Sequence, residues 1–450
     1  MSTKVHFGLL KLLIPFSLAV PSLLGSTYYL DGSVAVSGNG TSWASAWKSF
    51  NNIAGLRPGD TVYISGGSSG QTYNTGAFLS PSGTSGNPIT YKVSSDAGHN
   101  GVVTINCANT CSGGQYGNFI YGVSWVTFDG NVDGNTNLVI QGWNQPIVGD
   151  STVGEIFRYV TVKGSMHFNN GYNVELDHVL VDAPANSDRA VFGPYCGPNP
   201  DYTNNSIHDS TVQVRYGNTS GFGDDAFGAL NCALFYNNRV LGVYDAAQTI
   251  QHQDGIQTSN SYLKIYNNYF YNLQNYPIYG DQLGGTLSHW RIYNNVFYAP
   301  NTSQGYQAIA MGCDGQTCTN DDLIIANNTV VGGANCIWVN TGYPGTLNNS
   351  YIVNNICYNA GSINVVGGGT QSNNTTATNG ITFLNATSDW HLQSSATGAI
   401  GKGISPSYLT TVYTTDKDGN QRTTPWDIGA YRYGSVAPPS PPTDITATVK

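Results

Sequence analysis

The chain has 450 residues, only 10% of which are charged, and its formal net charge is −9. This acidic balance argues against a nucleic-acid partner, because no basic stripe is present to displace counterions from phosphates. An acidic ligand would need a metal ion or a local Arg or Lys beside it. Gly (55 residues), Tyr (30 residues) and small polar residues are abundant, which favours a long β-structure with many turns.

The N-terminal stretch, residues 1–26, has the pattern of a signal peptide. Lys4 precedes an apolar run over 12–24, which ends at the small residues Gly25 and Ser26. The run is interrupted by proline and is short for a transmembrane helix. The sequence therefore predicts a secreted, extracellular protein with no membrane span.

The next segment is predicted to cap one end of the fold. Large apolar residues recur there at helical spacing, at Trp43, Trp47, Phe50 and Ile53. Gly55 and Pro58 then end the pattern. We expect an amphipathic helix that covers the open N-terminal end of the core. The first strand is expected directly afterwards, over residues 56–64.

A motif repeats through the rest of the chain, with the pattern apolar, any residue, Asn, any, any, apolar. Two clear copies are Leu263–Phe270 and His289–Phe297. The first Asn of each copy, or its replacement, recurs after 27 to 33 residues, at His178, Asp209, Asn237, Asn267, Asn294, Asn327 and Asn354. A near-constant period with short apolar runs predicts stacked β-coils, with the amide side chains forming a hydrogen-bonded ladder at one corner.

The predicted architecture is all-β, a parallel β-helix (solenoid) of about ten coils. Leucine-rich repeats lack support because their Leu-rich consensus is missing, and propellers prefer a longer period. We expect one domain over residues 27–434. Residues 435–450 form a Pro-rich linker or tail, since Ala437–Pro442 is an extended segment.

The eight cysteines suit an oxidising compartment. The sequence has no CxxC pair, so these cysteines do not indicate a zinc site. Cys196 and Cys232 lie about one repeat apart, as do Cys336 and Cys357. Two further pairs are close in sequence and would each staple a loop, namely Cys107 with Cys111 and Cys313 with Cys318.

An acidic row is predicted along one face. Twelve or thirteen residues before the repeated Asn lie Asp225, Asp254, Asp281 and Asp314. In coils stacked about 4.8 Å apart, these carboxylates would line up and repel one another. A Ca²⁺ ion bound by all four would relieve that repulsion, as would one protonated carboxyl that acts as an acid while another acts as a base. The alternative is that the Asp side chains only cap turns.

Other side chains near this row suggest chemistry. Asp224 is adjacent to Asp225, His252 shares a strand face with Asp254, and Arg189 lies on the preceding coil. The candidate catalytic residues are therefore Arg189, Asp224, Asp225, His252, Asp254 and Asp281. The candidate sugar-binding residues are Tyr195, Tyr216, Tyr244, Gln257, Tyr279 and Trp290. Each of these side chains also has an ordinary structural interpretation.

The chain resembles the secreted bacterial right-handed parallel β-helix proteins of the pectate-lyase-like superfamily. The matching segments are Gly40–Trp43, Arg57–Ile64, Gly83–Ile89, Asp389–Leu392 and Asp427–Tyr431. The resemblance covers about residues 27 to 434 and implies a right-handed β-helix and secretion. It implies no single reaction, because the superfamily contains lyases, hydrolases, epimerases and non-enzymatic surface proteins.

Three functions follow as hypotheses for an expected monomer with a polysaccharide partner. The first is a calcium-dependent lyase of a uronate-containing polysaccharide, in which Arg189, or next His252, is the base. The second is an inverting hydrolase, because His252–Ile256 and Gly223–Asp225 are similar to polygalacturonase motifs, although in reversed order. The third is a non-catalytic cell-surface or adhesion β-helix.

Overall fold

The computed structural model describes residues 25–107, 117–184, 189–215, 224–243, 253–282, 285–300, 307–313, 317–340 and 345–435. The predicted signal peptide, apart from Gly25 and Ser26, and the predicted tail beyond Ser435 lie outside these residues. Within them, no helix is both long and apolar enough to span a membrane.

The described strands stack in parallel to form a β-solenoid of about nine turns. Sheet A consists of Thr27–Leu30, Thr61–Ile64, Ile89–Val93, Val126–Asp129, Glu155–Arg158, Glu175–Asp177, Asn205–His208, Ala233–Tyr236, Leu263–Tyr266, Gly285–Tyr293, Cys318–Ala326, Gly345–Val353 and Gly368–Ser372. Sheet B consists of Gln71–Thr75, Val103–Cys107, Leu138–Gln141, Val160–Lys163, Leu180–Asp182, Thr211–Gln213, Arg239–Leu241, Tyr269–Tyr271, Val296–Tyr298, Thr329–Val331 and Ile356–Tyr358. Sheet C consists of Ile120–Tyr121, Ile147–Val148, Met166–His167, Arg189–Phe192, Asp225–Gly228, Ile256–Thr258, Ile278–Gln282, Gln307–Cys313, Asn335–Val339 and Ile363–Val365.

The remaining elements of the described chain are short. Two small antiparallel pairs join Asn131–Val132 to Asn135–Thr136 and Phe383–Asn385 to Asp389–Leu392. The helical elements are the 3₁₀ turns Trp43–Ser45, Phe50–Asn52 and Tyr202–Asn204 and the α-helical turn Ser407–Thr410. The parallel solenoid predicted from the repeat is therefore confirmed.

The repeated Asn marks the corner between sheets A and B. All seven residues of the predicted series have a left-handed backbone, with φ between 50° and 59°. Asn and Asp adopt this conformation more readily than other non-glycine residues, because their short polar side chains can hydrogen-bond locally. The corner explains why the motif recurs once per coil.

The hydrogen-bonded ladder lies one residue later than predicted. Asn268, Asn295 and Asn328 point inward and are fully buried. The side-chain oxygen of Asn295 accepts from the backbone N–H of Asn268 at 3.0 Å, and that of Asn328 accepts from the N–H of Asn295 at 3.0 Å. These bonds satisfy polar groups that the coil buries and hold adjacent coils in register.

The core is a set of columns of apolar side chains, one residue per coil. In sheet A a single column reads Val62, Tyr91, Phe128, Phe157, Leu176, Ile207, Phe235, Ile265, Ile292, Ile325 and Ile352, all at most 1% exposed. Burial of each such side chain contributes about 1.5–3 kcal/mol. This column, with the equivalent buried residues of sheets B and C, forms the continuous core on which the coils stack.

The predicted N-terminal capping helix is not confirmed. The segment forms two 3₁₀ turns, Trp43–Ser45 and Phe50–Asn52, because the backbone between them pairs with a strand. Trp47 donates to the carbonyl of Tyr29 at 2.9 Å and accepts from Asp31 at 2.8 Å. The first strand is accordingly Thr27–Leu30, earlier than predicted. Trp47 and Phe50 are nevertheless buried, with Trp47 4% and Phe50 1% exposed.

Two predicted disulfides are present, Cys196–Cys232 and Cys336–Cys357. The first bridges consecutive turns between sheets C and A. Cys107 and Cys318 are also disulfide-bonded. Their predicted partners, Cys111 and the side chain of Cys313, lie outside the described part of the structure.

A C-terminal strap, residues 402–430, runs back along the corner in the direction opposite to the coils. Corner residues bind the strap through their side chains or carbonyls. The further along the strap a residue lies, the earlier in the chain is the corner residue that it contacts. The pairs are Asn373–Lys402, Asn354–Ile404, Asn327–Tyr413, Asn294–Thr415 and Asn267–Lys417. The strap thus connects five consecutive coils through the same left-handed corner.

Glu155 is an ionisable group inside the solenoid. It is fully buried, its Oε2 accepts from the Thr152 hydroxyl at 2.5 Å, and its Oε1 has no hydrogen-bond partner among the described residues. Burial raises the pKa of Glu155 from 4.5 to about 8, an increase that the Thr152 hydrogen bond only partly offsets. The side chain is therefore protonated in the folded protein at neutral pH.

Glu155 is expected to make stability pH-dependent. Because its folded pKa is raised, its contribution is fully present below pH 4.5 and is lost as pH rises toward about 8. The slope from this group is at most about 1.4 kcal/mol per pH unit. Chemical denaturation of wild type and Glu155→Gln at several pH values measures the effect. The variant should lose stability less steeply over this window, and parallel curves would contradict the assignment.

Candidate functional site

The outer face of sheet C carries one outward side chain per coil next to the buried core column. The core column includes Val191, Phe227, Ile256, Ile278, Ile309 and Ile337, all 0% exposed. Because strand neighbours point to opposite faces, the following residue of each coil points outward. We call this set the outer row, and it consists of His167, Phe192, Gly228, Gln257, Tyr279, Ala310 and Trp338.

Arg189 lies across the outer row where that row carries no side chain. A Cβ atom added at Gly228 would overlap Cδ and Nε of Arg189. The guanidinium carbon lies 5.4 Å from the ring centre of Phe192. Burial raises the pKa of Tyr195, and the positive charge of Arg189 opposes that rise, which places the two side chains near each other. The structure therefore brings together Arg189 and Tyr195 of the predicted site, and adds Phe192.

A methyl group at position 228 should disturb this arrangement. Gly228→Ala is expected to lower the free energy of unfolding by about 1–3 kcal/mol, because Arg189 must leave its position. Gly312 is a matched control in the same sheet, since nothing lies within 4 Å of a Cβ added there. Chemical denaturation of both variants tests the prediction. Equal stability of G228A and G312A would show that Arg189 does not pack over Gly228.

Asp225 and Asp254 occupy equivalent positions in adjacent coils, as predicted. They lie two residues before the paired Phe227 and Ile256. Asp225 is 1% exposed and accepts from the backbone N–H of Asp254 at 3.0 Å, while Asp254 is 0% exposed and accepts from the N–H of Tyr276 at 2.9 Å. These contacts join coil to coil, which favours the turn-capping alternative for this pair. Asp224 is also buried, at 5% exposure.

Asp281 does not belong to the same row. The prediction that it occupies the position equivalent to Asp225 and Asp254 is therefore wrong. Asp281 pairs with Gly312 and follows the core residue Ile278, whereas Asp254 precedes Ile256. The count from the repeated Asn failed because the sheet A strand Gly285–Tyr293 has nine residues and its predecessor, Leu263–Tyr266, only four. Asp281 instead accepts from the Gln257 side chain at 3.2 Å.

The predicted calcium ligands therefore do not converge in the described structure. Asp314 lies outside it, and Asp281 is displaced from Asp225 and Asp254 by five residues along the strand, or about 16 Å. Ca²⁺ needs six to eight oxygens within about 2.6 Å. The residues present do not fit a calcium ion bound by this row.

Groups of three possible metal ligands do occur on sheet A, away from the outer row. In the part of the chain that the structure describes, they are Glu175, Asp177 and His208, and Asp177, His178 and Asp209. Arg158 donates three hydrogen bonds to Glu175. Burial opposes protonation of His208, but hydrogen bonds to Asp209 and Glu175 raise its pKa to about 9. The carboxylates here are paired with protein cations.

The remaining predicted site residues divide into three groups. Gln257 and Tyr279 lie on the outer row, and the Tyr279 ring is 4.6 Å from that of Tyr276. Trp290 is 1% exposed in sheet A and donates to the Asn260 carbonyl, so its prediction as a sugar-stacking residue is wrong. Three predicted residues lie outside the described part of the structure, namely Tyr216, Tyr244 and His252.

Sequence reasoning missed Phe192, Tyr276 and Trp338 on this face. The usable signal was the alternation of buried and outward residues in each sheet C strand, as in the Val191–Phe192 and Ile337–Trp338 pairs. Counting from the core residue of each strand, rather than from the distant corner Asn, would have located all of the outer row.

No protein-family model matches the sequence, and no curated protein matches it. Solved structures with similar folds include a rhamnogalacturonan lyase, with 14% identity, a TM-score of 0.45 and coverage of 74% of this chain and 87% of that one. They also include the pectate lyase Pel9A, with 15% identity, a TM-score of 0.39 and coverage of 91% and 96%. The PL6 family alginate lyase AlyGC has 13% identity, a TM-score of 0.33 and coverage of 68% and 46%. Likeness this low identifies neither a family nor a substrate.

Proposed function

We propose that the part of the outer row from Phe192 to Tyr279 binds an acidic polysaccharide and that the protein is a polysaccharide lyase. The observation that carries the proposal is the position of Arg189, whose guanidinium lies on the outer face of sheet C over Gly228 and beside Phe192. The protein has a net charge of −9, so a cation on an outer face beside aromatic and amide side chains is a specific feature. A planar guanidinium pairs well with a carboxylate, through two parallel hydrogen bonds.

Such pairing would promote β-elimination of a uronate. The step removes the proton at C5, forms a double bond between C4 and C5 and breaks the C4–O bond. The leaving oxygen takes up a proton from water and becomes a hydroxyl of the released chain. Arg189 would stabilise the negative charge that develops on the carboxylate as the proton leaves. The base is proposed to be His252, which lies outside the described residues, two positions before Asp254 in the sequence, since a neutral imidazole accepts a proton near neutral pH. Tyr195 and Gln257 would orient the sugar.

The hydrolase alternative loses its proposed pair of carboxyl groups. An inverting hydrolase needs two carboxyls about 6.5–9.5 Å apart. Asp225 and Asp281 are two coils and five strand positions apart, which corresponds to about 19 Å. Asp225 is also buried by the coil that stacks on it. The described geometry therefore does not support this pair of carboxyl groups as the acid and base of an inverting hydrolase.

The test is incubation of the purified protein with a panel of uronate polysaccharides, with added calcium or with a chelator. Products that gain ultraviolet absorbance from a C4–C5 double bond support the lyase. New reducing ends without that absorbance contradict it and indicate a hydrolase. Absence of any product across the panel, with binding retained, supports a non-catalytic carbohydrate-binding protein. Loss of activity with the chelator alone would show calcium dependence.

A further inference from the structure

Trp338 extends the outer row beyond the proposed site. It lies in register two coils after Tyr279, with Ala310 between them. Trp338 and Tyr279 are both partly exposed, whereas Ala310 is only 6% exposed because it lies between larger neighbours. The two rings therefore flank a depression whose floor is Ala310. A second low point of the row is Gly228, where Arg189 lies.

The shape of this face sets the direction of a bound chain. Sheet C has ten described strands but each is only two to seven residues long. The face is consequently long across the strands and narrow along them. From Phe192 to Trp338 there are five coil steps, or about 24 Å at about 4.8 Å per coil. One coil step is comparable with the length that one sugar adds to an extended polysaccharide.

We infer that the substrate is a polysaccharide that lies along the solenoid axis, and that Trp338 is a stacking platform for a sugar several residues away from Arg189. The inference rests on the proposed function of the Arg189 site. An aromatic ring offers a large apolar surface for the C–H face of a sugar without dictating its charge. The protein should accordingly distinguish long chains from short ones at Trp338, and select for carboxylates at Arg189.

The experiment compares wild type, Trp338→Ala and Trp338→Phe on oligosaccharides of one acidic polysaccharide, from disaccharide to decasaccharide. W338A is expected to raise KM about tenfold for the longest oligosaccharides, which is the loss of one aromatic contact worth about 1.4 kcal/mol. KM for the shortest substrates and kcat should stay unchanged, and W338F should restore most of the affinity. Tyr433→Ala is the control, since Tyr433 is 43% exposed and lies outside sheet C.

Two outcomes would overturn the inference. The first is an equal change in KM for short and long substrates, which would mean that Trp338 acts only through stability. The second is an unchanged KM for the longest chains. Calorimetric measurement of binding to the intact polymer distinguishes failure of the platform inference from failure of the lyase proposal. Wild type that binds the polymer more tightly than W338A but never cleaves it refutes the lyase and retains the platform. Equal cleavage by wild type and W338A at every substrate length would refute the platform inference and leave the lyase proposal standing.

Discussion

Arg189→Ala should lower kcat/KM on a uronate polysaccharide by about 100-fold or more, the usual scale for loss of a group that stabilises transition-state charge. Without the guanidinium, the substrate carboxylate would lose the two parallel hydrogen bonds proposed for Arg189, in a protein of net charge −9. Arg189→Lys should recover only part of the activity, because an ammonium cannot make the two parallel hydrogen bonds of a guanidinium. Initial rates of product absorbance measure both variants.

The matched control for this experiment is Arg215→Ala. Arg215 is paired with Asp182 at 2.6 Å and its side chain is 44% exposed, at the end of a strand in sheet B rather than sheet C. This variant changes the net charge by the same amount as R189A but leaves sheet C unaltered. It should therefore keep wild-type kcat/KM. Activity of R189A equal to that of R215A would remove Arg189 from the mechanism. Chemical denaturation of R189A should be run in parallel, to exclude general unfolding as the cause.

Arg422→Met should destabilise the C-terminal strap by about 1–3 kcal/mol, the range for leaving a buried polar group without its hydrogen-bond partner. Arg422 is 4% exposed. Its guanidinium donates to the side-chain oxygen of Asn294 at 2.8 Å and to the carbonyls of Gly429 and Ala430, each at 3.0 Å. Methionine would fill similar volume but leave these buried oxygens without a donor. The lost hydrogen bonds to buried oxygens account for most of the expected loss of stability. Chemical denaturation measures the change.

Arg432→Met controls for loss of an arginine just after the strap. Arg432 donates to the exposed carbonyl of Gln421 at 2.9 Å, so its replacement should change stability by less than about 0.5 kcal/mol. Limited proteolysis adds a second measurement, since a released strap should be cut in R422M before the coils are. Equal stability of R422M and R432M would mean that the strap is held by its apolar contacts alone.

The fold could be predicted because one position per coil has a strict backbone requirement. The left-handed corner accepts few residue types without strain, so Asn267, Asn294 and Asn327 recur visibly whatever the loops do. The Cys196–Cys232 and Cys336–Cys357 pairs were predictable for the same reason, since cysteines one repeat apart lie in adjacent coils.

The candidate site was only partly predictable because loop lengths differ between coils. Counting back from the corner placed Asp225 and Asp254 correctly but shifted Asp281 by five strand positions. The face that each Asp occupies also depends on whether an even or an odd number of positions separates it from the core residue of its strand, which a count from the corner ignores. Arg189 was identified by its charge, but its position over Gly228 required the strand pairing.

The asparagine corner and the strap together have a consequence for how the protein unfolds. A plain solenoid behaves as a one-dimensional array, in which each coil is stabilised mainly by its neighbours and the ends fray first. Here the strap ties the coils of Asn267 to Asn373 to a single segment. Those coils should exchange their amide hydrogens as one cooperative block, whereas protection in the coils before Asn237 should change gradually from one coil to the next. Most of the outer row before Tyr279, together with Arg189 above it, lies in coils whose amide protection should change gradually. The binding face therefore spans both the cooperative block and these coils.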